Sequence, residues 1–204
     1  MTNLKPSILN IGAGKIKPLW LDSLETYFLV NLDPMYSPPG SLKNRGAIEE
    51  KHCFWNHSKL QTEEVFCNES WENFLPKYLY YFDKIVIYRF LEHVPMVKVP
   101  FFIYLLSECL NVKDPVDVIV PNYEKLASRV LKEDPFSPSF EAENILTTTE
   151  LLNEPYDPHA SIWTPKRAKY FFELEGRFEV KGVIEDYEFK GRDIYMWFFA
   201  EKIK

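Results

Sequence analysis

The sequence predicts an α/β fold in which a mostly parallel sheet ends in an antiparallel strand pair. Short apolar segments of strand length alternate with helix-length segments, which is typical of parallel sheets with crossover helices. The last two strand-like segments are separated only by the turn Lys190-Gly191-Arg192, which predicts a hairpin. The chain has 204 residues, a length that fits one domain over residues 1–204.

The first two predicted strands each end at a residue type that stops a strand. Residues 7–11 are apolar and lead into Gly12-Ala13-Gly14, which predicts a buried strand and a tight turn. Pro18 suits the first turn of a helix. A second strand over 27–33 ends before Pro34, because proline cannot donate a ladder hydrogen bond.

The middle of the chain has weaker patterns. We expect a short third strand at 52–55 and a helix over about 63–80. A strand at 82–88 and a helix at 97–110, apolar nearly all round, follow.

The last third contains one more strand, two helices and the closing hairpin. A strand at 115–120 precedes a helix at 123–131. Thr164 is a suitable cap for a helix that opens at Pro165 and ends at Gly176. The hairpin strands cover 178–187 and 193–202. Residues of about 134–164 are rich in Pro, Glu, Ser and Thr, and we interpret them as an insertion or lid with a short helix.

Composition excludes several classes of protein. Seven glycines, 15 prolines and 33 aromatic residues exclude collagen-like and disordered chains. A net charge of −6 argues against a nucleic-acid partner. The three cysteines have no CxxC spacing, which indicates reduced thiols, and no apolar leader or membrane span is visible. We expect a cytoplasmic protein with no membrane partner.

The residues that follow the predicted strands indicate a nucleoside site, because ligands of open α/β sheets bind at the carboxyl ends of the strands. Gly12, Ala13 and Gly14 allow close approach of a ligand, and Asp33 suits the two hydroxyls of a ribose. A plain tight turn and a strand-ending acid are the alternatives. A nicotinamide dinucleotide is disfavoured, since Lys17 stands where its fingerprint has a third glycine.

The ends of the later strands supply polar residues for a second ligand. Tyr88, Arg89, Glu92 and His93 follow the fourth strand, and 121–123 follow the fifth. Glu92, His93 and His159 are the candidate general bases. Alternatively, Glu92 and His93 brace the loop and His159 packs on Trp163. The four histidines are dispersed without a close carboxylate, so we expect no metal site.

Together these segments resemble the class I S-adenosylmethionine-dependent methyltransferases, in the branch whose first motif reads Leu-Asn-Ile-Gly-x-Gly. The matching segments, in the family's order, are 9–14, 30–33, 82–95, 118–122, and His159 with 163–165 before the last helix and the closing hairpin. The resemblance implies a Rossmann-like, seven-stranded sheet with a reversed last strand and helices on both faces.

The resemblance also implies the ligands and their residues. S-adenosylmethionine would bind at Asn10, Gly12, Ala13, Gly14, Asp33, Asn56, Tyr88 and Arg89. The adenine would lie near Trp55 or Asn56, after the third strand. The methyl acceptor, a small molecule or a sugar-, lipid- or peptide-linked group, would face Glu92, His93, His159 and Trp163. The alternative is a catalytically silent methyltransferase fold that serves as a structural, assembly or binding component, for example of a phage.

Overall fold

A computed structural model describes residues 6–12, 27–33, 63–67, 69–132, 159–189 and 192–204. Its strands are β1 (Ser7–Ile11), β2 (Phe28–Leu32), β3 (Glu63–Cys67), β4 (Lys84–Tyr88), β5 (Pro115–Pro121), β6 (Phe178–Phe189) and β7 (Arg192–Lys202). Its helices are α1 (Trp71–Phe74), α2 (Val99–Cys109), α3 (Tyr123–Lys132) and α4 (Pro165–Glu173), with 3₁₀ turns at Leu75–Lys77, Leu91–His93 and Met96–Lys98.

The described strands form one sheet of seven strands in the order β3-β2-β1-β4-β5-β7-β6. The first five strands of that order pair in parallel, and β7 pairs antiparallel with both β5 and β6. The predicted mixed α/β fold with a C-terminal antiparallel hairpin is therefore confirmed. Strand order reverses between β1 and β4, so the carboxyl ends of these two strands mark the expected ligand crevice.

The described helices pack on both faces of the sheet. The larger core lies on one face, where Ile87 and Val118 belong to the same apolar cluster as Phe102 of α2 and Phe172 of α4. On the other face, Ile119 clusters with Tyr123 and Leu126 of α3. Among the described helices, none is long and apolar enough to cross a membrane.

The third strand differs from its prediction. Residues 63–67 form β3 beside β2, with Val65 paired to Val30, whereas the sequence predicted a helix from residue 63. Two glutamates at the start of this strand are poor β-formers, so pairing with the exposed edge of β2 overrides local preference. The helical part of the predicted segment is shorter and begins at Trp71. The strand predicted at 52–55 lies outside the described residues.

Local signals predicted the last helix well. The Thr164 hydroxyl accepts a 3.2 Å hydrogen bond from the Arg167 amide, and Pro165 occupies the first turn, as expected for a capped start. Gly176 follows with a φ of +59°. The chain then enters β6, the first strand of the hairpin.

Candidate functional site

A backbone hydrogen bond directly links the carboxyl ends of β1 and β2. The amide of Gly12 donates a 2.9 Å hydrogen bond to the carbonyl of Leu32, and the amide of Asp33 donates one of 3.1 Å to the carbonyl of Cys67. Gly12 and Asp33 are therefore neighbours at the carboxyl edge of the sheet, as the sequence predicts. Ala13, Gly14 and Asn56 lie outside the described residues.

Gly12 is required by the protein's own packing. Its φ is +77°, a region that side-chain-bearing residues rarely adopt. A β-carbon at this position would lie 2.6 Å from the β-carbon of Phe90 and 2.7 Å from the carbonyl oxygen of Tyr88. Glycine thus lets β1 end against the segment that follows β4, in addition to any approach by a ligand.

Asn10 lies within the sheet and not at its edge. It is fully buried, and its side-chain amide donates a 2.9 Å hydrogen bond to the side-chain oxygen of Asn31, its cross-strand partner. Because this bond joins β1 to β2 just below Gly12 and Asp33, its observed role is to fix the spacing of the two strand ends. The Asn10 contact with a cofactor stays a prediction.

The end of β4 combines a buried phenol with an exposed cation. Burial raises the pKa of the Tyr88 hydroxyl, with smaller contributions from the charges around it. Arg89 is exposed and has a φ of +50°, and its guanidinium lies 5.6 Å from the centre of the Tyr195 ring. Strain of this kind often marks a functional position.

The prediction of the adenine position at Asn56 depends on the third strand. Asn56 follows a strand predicted at 52–55 and lies outside the described residues, so its contact with the adenine stays a prediction. The described strand beside β2 is β3, which ends at Cys67, and the next described residues along the chain are Glu69 and Ser70. Local sequence patterns missed this because the strand is defined by its neighbour.

The fold brings His159 close to Glu92 and His93, which are neighbours in the sequence. Glu92 and His93 lie in the 3₁₀ turn after β4, and His159 reaches them from a distant segment. One ligand atom from each lies within 4.8 Å of the others. The sequence argued against a metal site because no carboxylate was expected close to the histidines. In the structure, the Glu92 carboxylate lies close to both His93 and His159. Glu92 is only 1% exposed, whereas both histidines are partly exposed.

The main chain holds this group together. The carbonyl of Glu92 accepts hydrogen bonds from the amides of Ala160 and Ser161, at 2.7 and 2.9 Å. The Ser161 hydroxyl donates to the carbonyl of Leu91 at 2.9 Å. The residue that precedes Ala160 is His159, so these bonds set its position beside Glu92 and His93.

Tyr123 is a functional candidate whose role sequence reasoning missed. Its hydroxyl forms a short hydrogen bond with Nδ1 of His159. Burial and then the charge of Glu92 raise its pKa, so the phenol stays protonated at neutral pH. The available signal in the sequence was its place directly after β5, among the strand-end residues 121–123.

Trp163 belongs to the core. It is fully buried, its indole N–H donates a 2.8 Å hydrogen bond to Ser161, and its carbonyl accepts from the Tyr123 amide at 3.0 Å. These contacts hold the segment that carries His159. The His159 ring lies against the rings of His93 and Tyr123.

The fold of this chain is similar to that of several solved structures. The fold is that of the class I methyltransferases. A SAM-dependent methyltransferase from Methanosarcina mazei is 16% identical with a TM-score of 0.56, over 98% of this chain and 93% of that one. The 1,6-didemethyltoxoflavin-N1-methyltransferase of Burkholderia thailandensis, solved with its substrate and S-adenosylhomocysteine, is 11% identical with a TM-score of 0.57, over 98% and 72%.

A cyclopropane synthase from Mycobacterium tuberculosis is also similar, at 13% identity and a TM-score of 0.57, over 89% of this chain and 58% of that one. No model of a protein family matches the sequence, and a search of curated proteins finds no significant match. At these identities the likeness establishes the fold, and the ligands must be argued from the site itself.

Proposed function

We propose that the chain is a methyltransferase that uses S-adenosylmethionine to methylate a small molecule or a sugar-, lipid- or peptide-linked acceptor. One observation carries the proposal: the hydrogen bond from the Gly12 amide to the Leu32 carbonyl makes Gly12 and Asp33 adjacent at the carboxyl ends of β1 and β2, next to the crevice between β1 and β4 where strand order reverses. A strand-ending backbone without side chains beside a carboxylate suits the methionine and ribose parts of one nucleoside.

On the cofactor side, Asp33 accepts hydrogen bonds from the ribose hydroxyls, and Gly12, Ala13 and Gly14 face the methionine part. Tyr88 and Arg89 border the same crevice from β4. We assign the adenine to the region after β3, near Glu69 and Ser70, because that strand lies beside β2. Asn10 supports Asp33 through its bond to Asn31.

On the acceptor side, Glu92, His93 and His159 line the end of β4. Methyl transfer from a sulfonium is an in-line displacement, in which the protein mainly orients the acceptor and excludes water. An acceptor that must lose a proton would give it to one of these three side chains. The hydrogen bond between the Tyr123 oxygen and Nδ1 of His159 holds the imidazole ring in a fixed orientation for that purpose.

The chain's charge supports a small or conjugated acceptor over a nucleic acid. The net charge of −6 repels a phosphate backbone. We also propose a cytoplasmic location, because Cys67 and Cys109 are free, buried thiols.

Calorimetric titration with S-adenosylmethionine tests the proposal. Binding is expected for the wild type, and Asp33→Ala should weaken it by at least about 1 kcal/mol, since a carboxylate that accepts hydrogen bonds is lost. The matched control is Glu179→Ala, which removes an exposed carboxylate at the amino edge of the sheet. Its affinity should equal that of the wild type.

The catalytically silent alternative predicts the opposite result. Folded wild-type protein would then show no heat of binding at millimolar S-adenosylmethionine, and Asp33→Ala would change nothing. Equal affinities of Asp33→Ala and the wild type, with binding present, would instead remove the ribose assignment alone.

A further inference from the structure

The cluster of Glu92, His93 and His159 has the composition of a transition-metal site. It offers one carboxylate and two imidazoles, and its ligand atoms lie within 4.8 Å of one another. Nε2 of His93 lies 4.0 Å from a carboxylate oxygen of Glu92. The two imidazole rings are 4.9 Å apart at their centres and inclined by 70°, so the rings do not stack.

The distances are those of a site that needs a small contraction. A tetrahedral metal ion holds nitrogen and oxygen ligands at about 2.0–2.2 Å, so two of its ligand atoms stand about 3.3–3.6 Å apart. The 4.0 Å pair must therefore close by about half an ångström. The widest pair, at up to 4.8 Å, must close by roughly 1–1.5 Å, which rotation of the partly exposed histidine rings about χ1 and χ2 can supply.

The surroundings include the second layer of contacts that metal ligands usually have. A ligating histidine normally uses its other ring nitrogen to hydrogen-bond an oxygen that fixes the ring. Nδ1 of His159 has such a contact with the Tyr123 hydroxyl, and we therefore assign Nε2 as the nitrogen that would bind the ion. The bonds from Ala160 and Ser161 to the Glu92 carbonyl fix the backbone between two of the ligands.

The charge of Glu92 is also consistent with a cation. The side chain is 1% exposed, and a buried carboxylate is costly unless positive charge or hydrogen bonds compensate it. Within the described residues, Glu92 is the only carboxylate of the cluster, so one divalent ion would leave a net positive site.

We propose that Glu92, His93 and His159 bind one divalent transition-metal ion. Two imidazole ligands favour an ion such as Zn²⁺ or Co²⁺ over Mg²⁺ and Ca²⁺, which prefer oxygen ligands. Three protein ligands leave coordination positions for a water or an oxygen of the acceptor, and in the ion-bound form these side chains act as ligands and not as the general base. Use of the ion by an acceptor rests on the proposed function, whereas metal binding itself does not.

The test is a titration of the full chain with Co²⁺ and with Zn²⁺ alone, without S-adenosylmethionine. We expect one ion per chain, and we expect His93→Ala and His159→Ala each to weaken binding more than about tenfold. Both positions are partly exposed, so the variants should fold. Glu92→Gln should have the same effect, whereas Glu124→Gln, an exposed acid on α3, should bind as the wild type does.

A second variant separates metal binding from packing. Tyr123→Phe keeps the ring and removes the oxygen that orients His159, and about a tenfold loss of Co²⁺ affinity is expected with unchanged thermal stability. Tighter binding of Mg²⁺ than of Zn²⁺ would overturn the proposal.

Two further results would overturn it. One is the absence of Co²⁺ and Zn²⁺ binding by folded wild type. The other is wild-type affinity in both histidine variants, which would place the ion elsewhere. Binding of S-adenosylmethionine is measured separately, so its failure with metal binding intact would count against the proposed function alone.

Discussion

Gly12 and Phe90 lie so close that a β-carbon on Gly12 would stand 2.6 Å from that of Phe90. Two segments far apart in sequence thus meet without space for one methyl group, at the place where the cofactor is proposed to bind. The contact involves backbone and a β-carbon, neither of which can move aside without shifting β1 or β4.

Replacement of Gly12 by alanine should therefore destabilise the fold. Left-handed backbone costs an alanine roughly 1–2 kcal/mol and overpacking about 1–3 kcal/mol, so we expect a total of about 2–5 kcal/mol. The control is Gly176→Ala, where φ is +59° but the nearest atom is the mobile tip of Lys204 at 3.2 Å. Its cost should be about 1–2 kcal/mol in urea denaturation. Equal losses in the two variants would contradict the close contact.

Arg89 offers a test of strain against function. Its φ is +50°, so Arg89→Gly should raise the free energy of unfolding by about 0.5–1 kcal/mol. The same substitution removes the exposed guanidinium at the proposed cofactor site, so affinity for S-adenosylmethionine should fall.

Lys113 is the matched control for Arg89. Its φ is +79°, and it precedes β5 at the opposite edge of the sheet. Lys113→Gly should give a similar gain in stability and leave affinity for S-adenosylmethionine unchanged. A loss of affinity in Lys113→Gly equal to that in Arg89→Gly would remove Arg89 from the site.

The buried Asn10–Asn31 bond should appear as coupling between the two residues. Each single alanine variant removes this hydrogen bond between two buried amides and should cost about 1–3 kcal/mol of stability. The double variant should cost less than the sum, with a coupling of about 0.5–1.5 kcal/mol in a double-mutant cycle. Additive costs would show that the bond contributes nothing.

The raised pKa values of two buried thiols predict how the free energy of unfolding changes at high pH. Burial raises the pKa of Cys67 and of Cys109 to about 12, from 9.0. Between these values the unfolded chain loses protons that the folded chain keeps, so stability falls as pH rises, by about 1.4 kcal/mol per pH unit for each thiol.

Denaturation between pH 8 and pH 11 in a Cys53→Ser background measures this slope. The double variant Cys67→Ala, Cys109→Ala should have a shallower slope, and its parent should resist thiol reagents at pH 8 until it unfolds. Identical slopes in parent and double variant would contradict the assignment.

How far the sequence predicted the molecule depends on whether a feature is local. Thr164, Pro165 and Gly176 define a helix through interactions within a few residues, and the structure has that helix. Strand β3 forms through its pairing with β2. The sequence did not predict it, because its first residues, Glu63 and Glu64, are poor β-formers. The residues of the candidate site likewise divide into those placed by local sequence and those brought together by contacts between distant segments.

Within the site, Gly12 and Asp33 could be predicted because each directly follows an apolar strand. The meeting of His159 with Glu92 could not, since it depends on bonds from Ala160 and Ser161 to a carbonyl far away in sequence. The contact between Tyr123 and His159 was missed for the same reason.

The attachment of Ala160 and Ser161 to the Glu92 carbonyl has an evolutionary consequence. Residues 133–158 connect α3 to this anchored point, and the predicted lid falls mostly within them. Because α3 holds one end of this interval and the Glu92 carbonyl holds the other, the position of His159 is set by described residues outside it. Descendants of this chain could therefore vary the interval, together with any acceptor contacts it makes, while Glu92, His93, His159 and the sheet are inherited intact.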